Sequence, residues 1–161
     1  MTITIGFIGA GNMASALVGG LLARGHQPQN FALADAFPAQ LTGFKEHGLF
    51  TTANNADVFE RADVIVLAVK PHVLCDVLKP LALIAQAKKP LIISIAAGIP
   101  LASIDRWLGG NMAIVRAMPN TPALVQTGAT GLYANATVTR EQMQQAEMIL
   151  NAVGLTLWVD D

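Results

Sequence analysis

Charged residues are scarce in this sequence. They make up 13 % of its 161 residues, and the formal net charge is only −1, whereas typical soluble domains contain about 25 % charged residues. A charge so sparse and so balanced gives no basic patch for nucleic acid and no basic block for an anionic membrane surface. We therefore expect neither nucleic acid nor a membrane among the partners.

Cysteine and histidine are also nearly absent. Cys75 stands alone, so no disulfide can form within the chain. The three histidines, His26, His47 and His72, are scattered, and no pair has the spacing of zinc ligands. These absences predict no metal site, and they favour a reducing, cytoplasmic setting.

A long uninterrupted hydrophobic run is the third missing feature. Residues 1–23 carry no charge, but five glycines and Asn12 interrupt them, and no Lys or Arg precedes them. Their opening, residues 2–5, alternates Thr and Ile in the manner of a strand. The next uncharged apolar stretch, residues 90–104, contains Pro100 and is too short to cross a bilayer. We therefore predict neither a targeting segment nor a membrane span.

Apolar residues are abundant, and they fall into alternating strand-like and helix-like segments. Hydrophobic residues reach 53 % before the 14 glycines are counted, above the roughly 45–50 % of typical domains with glycine included. Such an excess indicates strands buried on both faces. Strands are predicted at residues 3–8, 31–34, 49–52, 64–69, 91–95, 113–117, 129–133 and 155–159, and helices at 12–23, 38–47, 55–61, 71–87, 101–108 and 139–153. This alternation predicts an α/β fold with a doubly wound, mostly parallel sheet and helices on both faces.

The domain organisation is simple. No repeat, low-complexity tract or linker divides the chain, so we expect residues 1–161 to form one domain. Residues 118–122 contain two prolines and are predicted to be irregular. The sequence stops two residues after the last predicted strand. This abrupt end, together with the apolar excess, suggests one domain of a longer protein.

A glycine-rich motif stands between the first predicted strand and the first predicted helix. Gly9, Gly11 and Ala14 match the pattern G-x-G-x-x-G/A. In dinucleotide-binding proteins the first glycine permits a tight turn, the second lets the backbone approach a pyrophosphate, and the third small residue allows close helix packing. A turn that needs glycine only for its own geometry is the alternative. The strand, motif and helix in succession favour a Rossmann-type dinucleotide-binding fold, with the pyrophosphate on the helix N-terminus.

Asp35 ends the second predicted strand, where an acidic residue binds the adenosine ribose of NAD in such folds. The alternative is a cap for the helix that begins near Pro38. An NADP site would favour a nearby arginine, but the first cation after Asp35 is Lys45. The local chemistry therefore points towards NAD.

Three further segments follow predicted strands, and they would meet at the carboxyl edge of a parallel sheet, where ligands bind. They are residues 68–71, 95–98 and 118–122. Small residues at 96–98 would let a flat ring approach the backbone, and Asn120 and Thr121 could form hydrogen bonds with a ligand. Each segment could equally be an ordinary loop.

The sequence offers no catalytic residue. It contains neither a recognisable histidine–carboxylate pair nor a recognisable lysine pairing that could act as the base of a hydroxy-acid dehydrogenase. We interpret His72 as a surface or capping residue and Lys70 as a contact to phosphate or solvent. Cys75 and Ser94 are interpreted as inert residues of a helix and a buried strand. Imine reduction fits this absence, because a protonated C=N is already electrophilic and needs mainly a positioned hydride donor.

Together these motifs resemble those of the pyrroline-5-carboxylate reductases, which make proline from a cyclic imine. The resemblance runs through FIGAGNMA at residues 7–14 and through residues 62–71 and 94–99. Its most specific part is MPNTP at residues 118–122, followed by residues 128–133. Hydroxyacid dehydrogenases share the first motif but not the full set in this order and spacing. The resemblance covers essentially the whole chain.

The resemblance implies a site for NADP(H) or NAD(H). The residues that it places against the cofactor are Ile8, Gly9, Ala10, Gly11, Asn12, Met13, Ala68, Val69, Lys70, Pro71, Ile95, Ala96 and Ala97, with Asn55 at the adenosine end and Pro119, Asn120 and Thr121 near the nicotinamide. Members of the family commonly use NADPH, and many accept NADH. Since Asp35 argues for NAD, the choice of cofactor stays open.

The helical C-terminal domain of the family, which binds the imine carboxylate and forms the dimer, has no counterpart in this sequence. We therefore expect the chain to be the cofactor domain of a protein that transfers hydride to 1-pyrroline-5-carboxylate and gives L-proline, the last step of proline biosynthesis. The homo-oligomer would form through the missing domain, and the chain alone would have little or no activity. A stand-alone dinucleotide-binding module that senses redox state is the alternative. A hydroxyacid or prephenate-type dehydrogenase is a third reading, which residues 118–122 disfavour.

Overall fold

The computed structural model describes residues 2–119 and 128–160, and within them the chain builds one sheet. Its strands are β1 Ile5–Ile8, β2 Phe31–Ala34, β3 Phe50–Thr52, β4 Val64–Leu67, β5 Leu91–Ser94, β6 Ile114–Pro119, β7 Gly128–Ala134 and β8 Gly154–Trp158. Their order across the sheet is β3-β2-β1-β4-β5-β6-β7-β8. All neighbours run parallel except β6 and β7, which are antiparallel. The predicted α/β class and mostly parallel sheet are confirmed.

Helices cover both faces of this sheet. They are α1 Asn12–Ala23, α2 Pro38–Glu46, α3 Asn55–Arg61, α4 Pro71–Leu78, α5 Ala82–Lys88, α6 Leu101–Trp107 and α7 Arg140–Leu150, with 3₁₀ turns at Pro28–Asn30, Lys79–Leu81 and Asn151–Val153. α1, α2 and α7 pack on one face and α3 to α6 on the other. β1, β2, β4 and β5 are buried along their whole length, which accounts for the apolar excess. None of the described helices is long and apolar enough to cross a membrane.

Polar caps fix the starts of two helices. Asn54 accepts a hydrogen bond from Ala56 N–H (3.0 Å) and begins α3. At α7 the Thr139 hydroxyl accepts from Gln142 N–H while the Gln142 side chain accepts from Thr139 N–H. Each cap stabilises its helix by about 0.5–2 kcal/mol. The helix predicted over residues 55–61 therefore begins directly after its cap, Asn54.

The prediction of a single helix over residues 71–87 is wrong. α4 ends at Leu78, a 3₁₀ turn follows, and α5 begins at Ala82. Pro80 lies in that turn. Because proline has no N–H and its ring clashes with the preceding turn of a helix, one continuous helix cannot pass through this position.

The prediction that residues 118–119 are irregular is also wrong, because both belong to β6. Pro119 pairs with Thr130 of β7. The other neighbour, β5, pairs with β6 only as far as Arg116. Pro119 therefore ends a strand beside a single partner, a position where a missing N–H is tolerated. Residues 120–122 lie outside the described residues.

Close packing leaves no room for a side chain at Gly20. A Cβ there would lie 2.4 Å from the carbonyl oxygen of Ala152, in the turn after α7. Gly19, the preceding residue of α1, is exposed, and a Cβ there would have no atom within 4 Å. The two glycines share a helical environment but differ in packing.

Alanine at these two positions should change stability in opposite directions. Gly19→Ala raises the free energy of unfolding by about 0.5–1 kcal/mol, because alanine loses less backbone entropy in a helix. Gly20→Ala lowers it by about 1–3 kcal/mol, because the backbone at Ala152 must move. Urea unfolding of both variants and the wild type measures the two changes. A Gly20→Ala variant as stable as Gly19→Ala would contradict the close contact.

Candidate functional site

The turn between β1 and α1 is held between the ends of two neighbouring strands. Gly9 N–H donates to Ala34 O at the end of β2, and Ala68 N–H, just after β4, donates to Ile8 O, both at 2.8 Å. Gly9 has a φ of +99°, and a Cβ on it would lie 2.8 Å from the carbonyl carbon and oxygen of Ala68. The fold itself therefore requires glycine at this position.

Gly11 is different, because nothing in the described chain requires glycine there. It is the N-cap of α1, its φ is −86°, and a Cβ on it would have no atom within 4 Å. It offers no side chain to the first-turn amides of α1, which lie at the positive end of a 12-residue helix. These amides can receive a phosphate group, and a side chain at residue 11 would project into the same open space.

Asp35 connects the glycine turn to the end of β2. Its Oδ2 accepts from Ala10 N–H (2.8 Å) and its Oδ1 from Phe37 N–H (2.9 Å). The N-cap of α2 is Phe37, so the alternative that Asp35 caps the helix ahead of Pro38 is wrong. Each carboxylate oxygen keeps a second lone pair. The half-buried carboxylate can therefore still accept hydrogen bonds from ligand hydroxyls.

These groups open onto a cavity of about 740 Å³ at the carboxyl ends of β1, β2 and β4. Its volume is within the range of small-molecule and cofactor sites, roughly 300–1,000 Å³. The structure brings ten of the predicted site residues into its wall: Gly9, Ala10, Gly11, Asn12, Met13, Asp35, Asn55, Ala68, Val69 and Lys70. Motifs far apart in sequence thus meet in one place.

Other predicted site residues lie outside this wall. Ile8 is buried within β1, with 1 % of its surface exposed, and Pro71 is the first residue of α4. Pro119 ends β6. Asn120 and Thr121 lie outside the described residues. The predicted nicotinamide end of the site is therefore only partly described.

The segment after β5 continues the same edge of the sheet. Ile95 N–H donates to Leu67 O at the end of β4 (3.2 Å), which places the segment beside the cavity wall. Ser94 is fully buried, and its hydroxyl accepts from Ala96 N–H (3.3 Å). Ser94 therefore shapes this turn. Ala96 is buried and Ala97 exposed, so these two positions present only methyl side chains where a flat ring was predicted to approach.

The cavity has further lining residues that the sequence did not place there. They are Ala34, Ala36, Phe37, Gln40, His72, Val73 and Val77. Phe37 is 69 % exposed, which marks an apolar rim that a planar ligand group could cover. Helical spacing could have found two of the others, because Val73 and Val77 are four residues apart on one face of α4.

The cavity wall holds one carboxylate and one lysine. Lys70 is exposed at the N-cap of α4, and within the described ranges its ammonium forms no ion pair or hydrogen bond. No group of three or more His, Cys, Asp or Glu side chains that could hold a metal occurs in that part of the chain. The wall can bind and orient an anionic ligand, but among its described residues no histidine is hydrogen-bonded to a carboxylate for proton transfer.

Comparison with known proteins places these features in a family. Residues 4–98 match the model of the family described as "NADP oxidoreductase coenzyme F420-dependent". A pyrroline-5-carboxylate reductase of Pseudomonas aeruginosa is 48 % identical over 163 aligned residues, which cover 99 % of this chain and 59 % of that protein. The chain thus spans less than two thirds of the length of this relative.

Solved structures agree with the sequence relatives. A pyrroline-5-carboxylate reductase from Coxiella burnetii matches with a TM-score of 0.96 and 46 % identity, over 100 % of this chain and 60 % of that one. The Plasmodium falciparum pyrroline carboxylate reductase, solved with NADP bound, matches with a TM-score of 0.84 and 28 % identity, over 98 % of this chain and 58 % of that one. The Rossmann-type fold and the resemblance to pyrroline-5-carboxylate reductases are both confirmed.

The two glycines of the turn should respond differently to alanine. Gly9→Ala lowers the free energy of unfolding by about 1–3 kcal/mol, because it combines a positive φ with overpacking against Ala68. Gly11→Ala changes it by less than about 0.5 kcal/mol, because its Cβ meets no neighbour. Urea unfolding without added ligand measures both values. Equal decreases in the free energy of unfolding of the two variants would show that Gly11 has a structural role in the turn.

Proposed function

The chain belongs to the family described as "NADP oxidoreductase coenzyme F420-dependent", and from this premise we propose that it is the dinucleotide-binding domain of a pyrroline-5-carboxylate reductase. The observation that carries the proposal is the open space at Gly11, where the chain leaves the N-terminal amides of α1 without a side-chain cap. A pyrophosphate fits this position by charge and by size. The proposed domain spans residues 1–161.

The residues present fit a nicotinamide dinucleotide along the whole carboxyl edge. The glycine turn, Ile8 to Met13, would hold the pyrophosphate, and Asp35 and Asn55 would hold the adenosine end. Ala68, Val69, Lys70 and Pro71 would lie beside the central part, with the Lys70 ammonium available to the phosphates. The nicotinamide would lie near Ile95, Ala96 and Ala97 and near Pro119, Asn120 and Thr121. When bound, the cofactor supplies the hydride for the reduction.

Asp35 bears on the choice between the two cofactors. Its carboxylate would face the adenosine ribose, where a negative charge favours the 2′-hydroxyl of NADH over the 2′-phosphate of NADPH. None of the described residues that line the cavity is an arginine that could offset that repulsion. The family description and the Plasmodium relative both name NADP, so both cofactors belong in the test.

The substrate that we propose for the whole protein is 1-pyrroline-5-carboxylate. The cavity wall offers no proton-transfer pair, and a protonated imine makes none necessary, because positioning of the hydride donor is the main requirement. The residues that hold the imine carboxylate and build the homo-oligomer would come from a C-terminal domain, since the relatives are longer than this chain. A cytoplasmic location follows from this metabolic role.

Cofactor titration tests the proposed site directly. Calorimetry with NADH and NADPH should show binding of both, with NADH tighter because of Asp35. Gly11→Val should weaken the binding of either cofactor by at least about tenfold, since the valine side chain would occupy the space of the pyrophosphate. Stronger binding of NADPH would contradict the role given to Asp35 and leave the dinucleotide site intact.

A matched control separates lost binding from lost folding. Ala23→Val places the same side chain on the exposed last turn of α1, outside the cavity walls that contain the glycine turn. It should bind the cofactors as the wild type does, and circular dichroism should show the same fold for both valine variants. Unchanged binding in Gly11→Val would refute the proposed pyrophosphate position.

Activity measurements separate the enzyme from a redox-sensing module. The 161-residue chain with NADPH or NADH and 1-pyrroline-5-carboxylate should form little or no L-proline, because the proposed substrate-holding domain is missing. A full-length protein that contains this sequence should form it. Rapid proline formation by the chain alone would disprove the division into two domains. A full-length protein that binds cofactor but forms no proline would favour the redox-sensing module.

A further inference from the structure

The face of the sheet that carries α3 to α6 has an uncovered apolar surface at its β8 end. α6 packs on β6, and within the described ranges no helix of this face continues over β8. Leu155 is 79 % exposed there, Leu157 69 %, Met118 43 % and Val159 36 %. The register pairs Met118 with Gly131 and Gly131 with Leu157, so these five residues share one face. We call them the β8 face.

The other face of the same strands is covered by α7. Leu132 of β7 is fully buried in one cluster with Ile149 of α7, and Trp158 of β8 packs against that cluster. Trp158 and the exposed Leu157 are neighbours in one strand and differ only in the face they occupy. A strand with one covered apolar face and one open apolar face is typical of a surface that a further segment covers.

The end of β8 determines where any following chain begins. β8 runs parallel to β7, and β7 runs antiparallel to β6. Val159 N–H extends this pairing, because it donates to Leu132 O at 2.8 Å. The register brings Asp160 level with Val115, near the amino end of β6. The chain therefore leaves the sheet at the amino edge of the parallel strands, directly beside the β8 face.

The proposed function requires the following chain to return from that edge. Only 59 % of the Pseudomonas relative is covered by this chain, and the proposed substrate-holding domain has to reach the nicotinamide at residues 95–97, on the carboxyl edge. From the level of Val115 to the level of Pro119 the sheet is about 13 Å high, at 3.3 Å per residue. A helix covers that height with about nine residues.

Three paths lead back to the carboxyl edge. The outer side of α7 is polar, with Arg140, Glu141 and Gln144 exposed, and it offers little apolar area to bury. A strand paired to the free edge of β8 would leave Leu155 and Leu157 exposed. A helix over the β8 face would bury both leucines, and burial is favourable in proportion to the apolar area removed from water. The third path therefore fits the exposed surface.

We propose that the β8 face is the docking surface for the segment that directly follows residue 161 in the full-length protein. This segment packs there as an amphipathic helix, next to α6, and carries the chain back to the carboxyl edge. Apolar residues at helical spacing would lie on Leu155, Leu157 and Val159. The inference rests on the proposed function, which supplies the longer chain and its destination. It concerns a surface several strands away from the cofactor cavity.

Thiol labelling of the full-length protein tests this cover. In a Cys75→Ser background, Leu157→Cys places a thiol on the β8 face, and Leu83→Cys is the matched control because Leu83 is 89 % exposed on α5. Mass spectrometry of the modified peptides follows each site separately. The Leu157→Cys thiol should react with iodoacetamide at least about tenfold more slowly in the full-length protein than in the 161-residue chain. The Leu83→Cys thiol should react at the same rate in both.

Equal rates of the Leu157→Cys thiol in the two proteins would overturn the proposal. Slow labelling already in the 161-residue chain would also overturn it, because the cover would then not be the segment after residue 161. Dilution of the full-length protein to a concentration at which sedimentation velocity shows monomers tests for a second copy. Loss of protection in those monomers would assign the cover to the second copy instead.

Aspartate at the same two positions tests whether the cover depends on the apolar surface. Leu157→Asp should raise the rate of proteinase K cleavage just after residue 161 of the full-length protein by at least about tenfold, because the docked helix would open. Leu83→Asp should leave that rate unchanged. Equal cleavage of the two variants would contradict packing on the β8 face.

Cofactor titration separates this inference from the proposed function. Both aspartate variants should bind NADH and NADPH as the wild type does, since the cavity lies at the carboxyl ends of β1, β2 and β4. A wild type that binds neither cofactor would contradict the proposed function, whatever the labelling shows. A full-length protein that binds cofactor and forms proline but labels rapidly at Leu157→Cys would contradict the docking alone.

Discussion

The carboxyl edge of the sheet depends on one close approach, that of Gly9 to the backbone of Ala68. The contact lets the turn after β1 lie between the ends of β2 and β4, where its amides bond to Ala34 and to the Asp35 carboxylate. With any larger residue at position 9 the turn would have to rise from the sheet. The first-turn amides of α1 would then point elsewhere, and the cavity would lose its central wall.

Much of this fold could be predicted from the sequence, because the strands at its centre are short apolar runs separated by polar caps and glycines. The failures came from prolines whose effect depends on context. Pro80 breaks the helix that was predicted to be continuous over residues 71–87. Pro119 lies within a strand because β5 is too short to reach it, and the length of a neighbouring strand cannot be read from the local sequence.

The residues of the site could be predicted where a local sequence motif determines the backbone conformation. Gly9, Gly11 and the strand-end segment at Ala68 were found because their positions follow from local sequence. Phe37 was missed, since an exposed residue that precedes a helix joins a cavity wall only through the way that helix packs. Asp35 was predicted to bind the adenosine ribose, and the structure adds a contact that the sequence did not predict: its carboxylate organises the turn through Ala10 N–H, 25 positions away.

The antiparallel pairing of β6 and β7 reverses the direction of the last two strands. β8 runs parallel to β7 and so ends at the amino edge of the parallel strands, opposite the cavity. Thr2 precedes β1 at that same edge. Both ends of the described chain therefore leave the domain on one side while the ligand cavity opens on the other. A fluorescent reporter or surface tether attached at either end would leave the entrance of the cavity unobstructed.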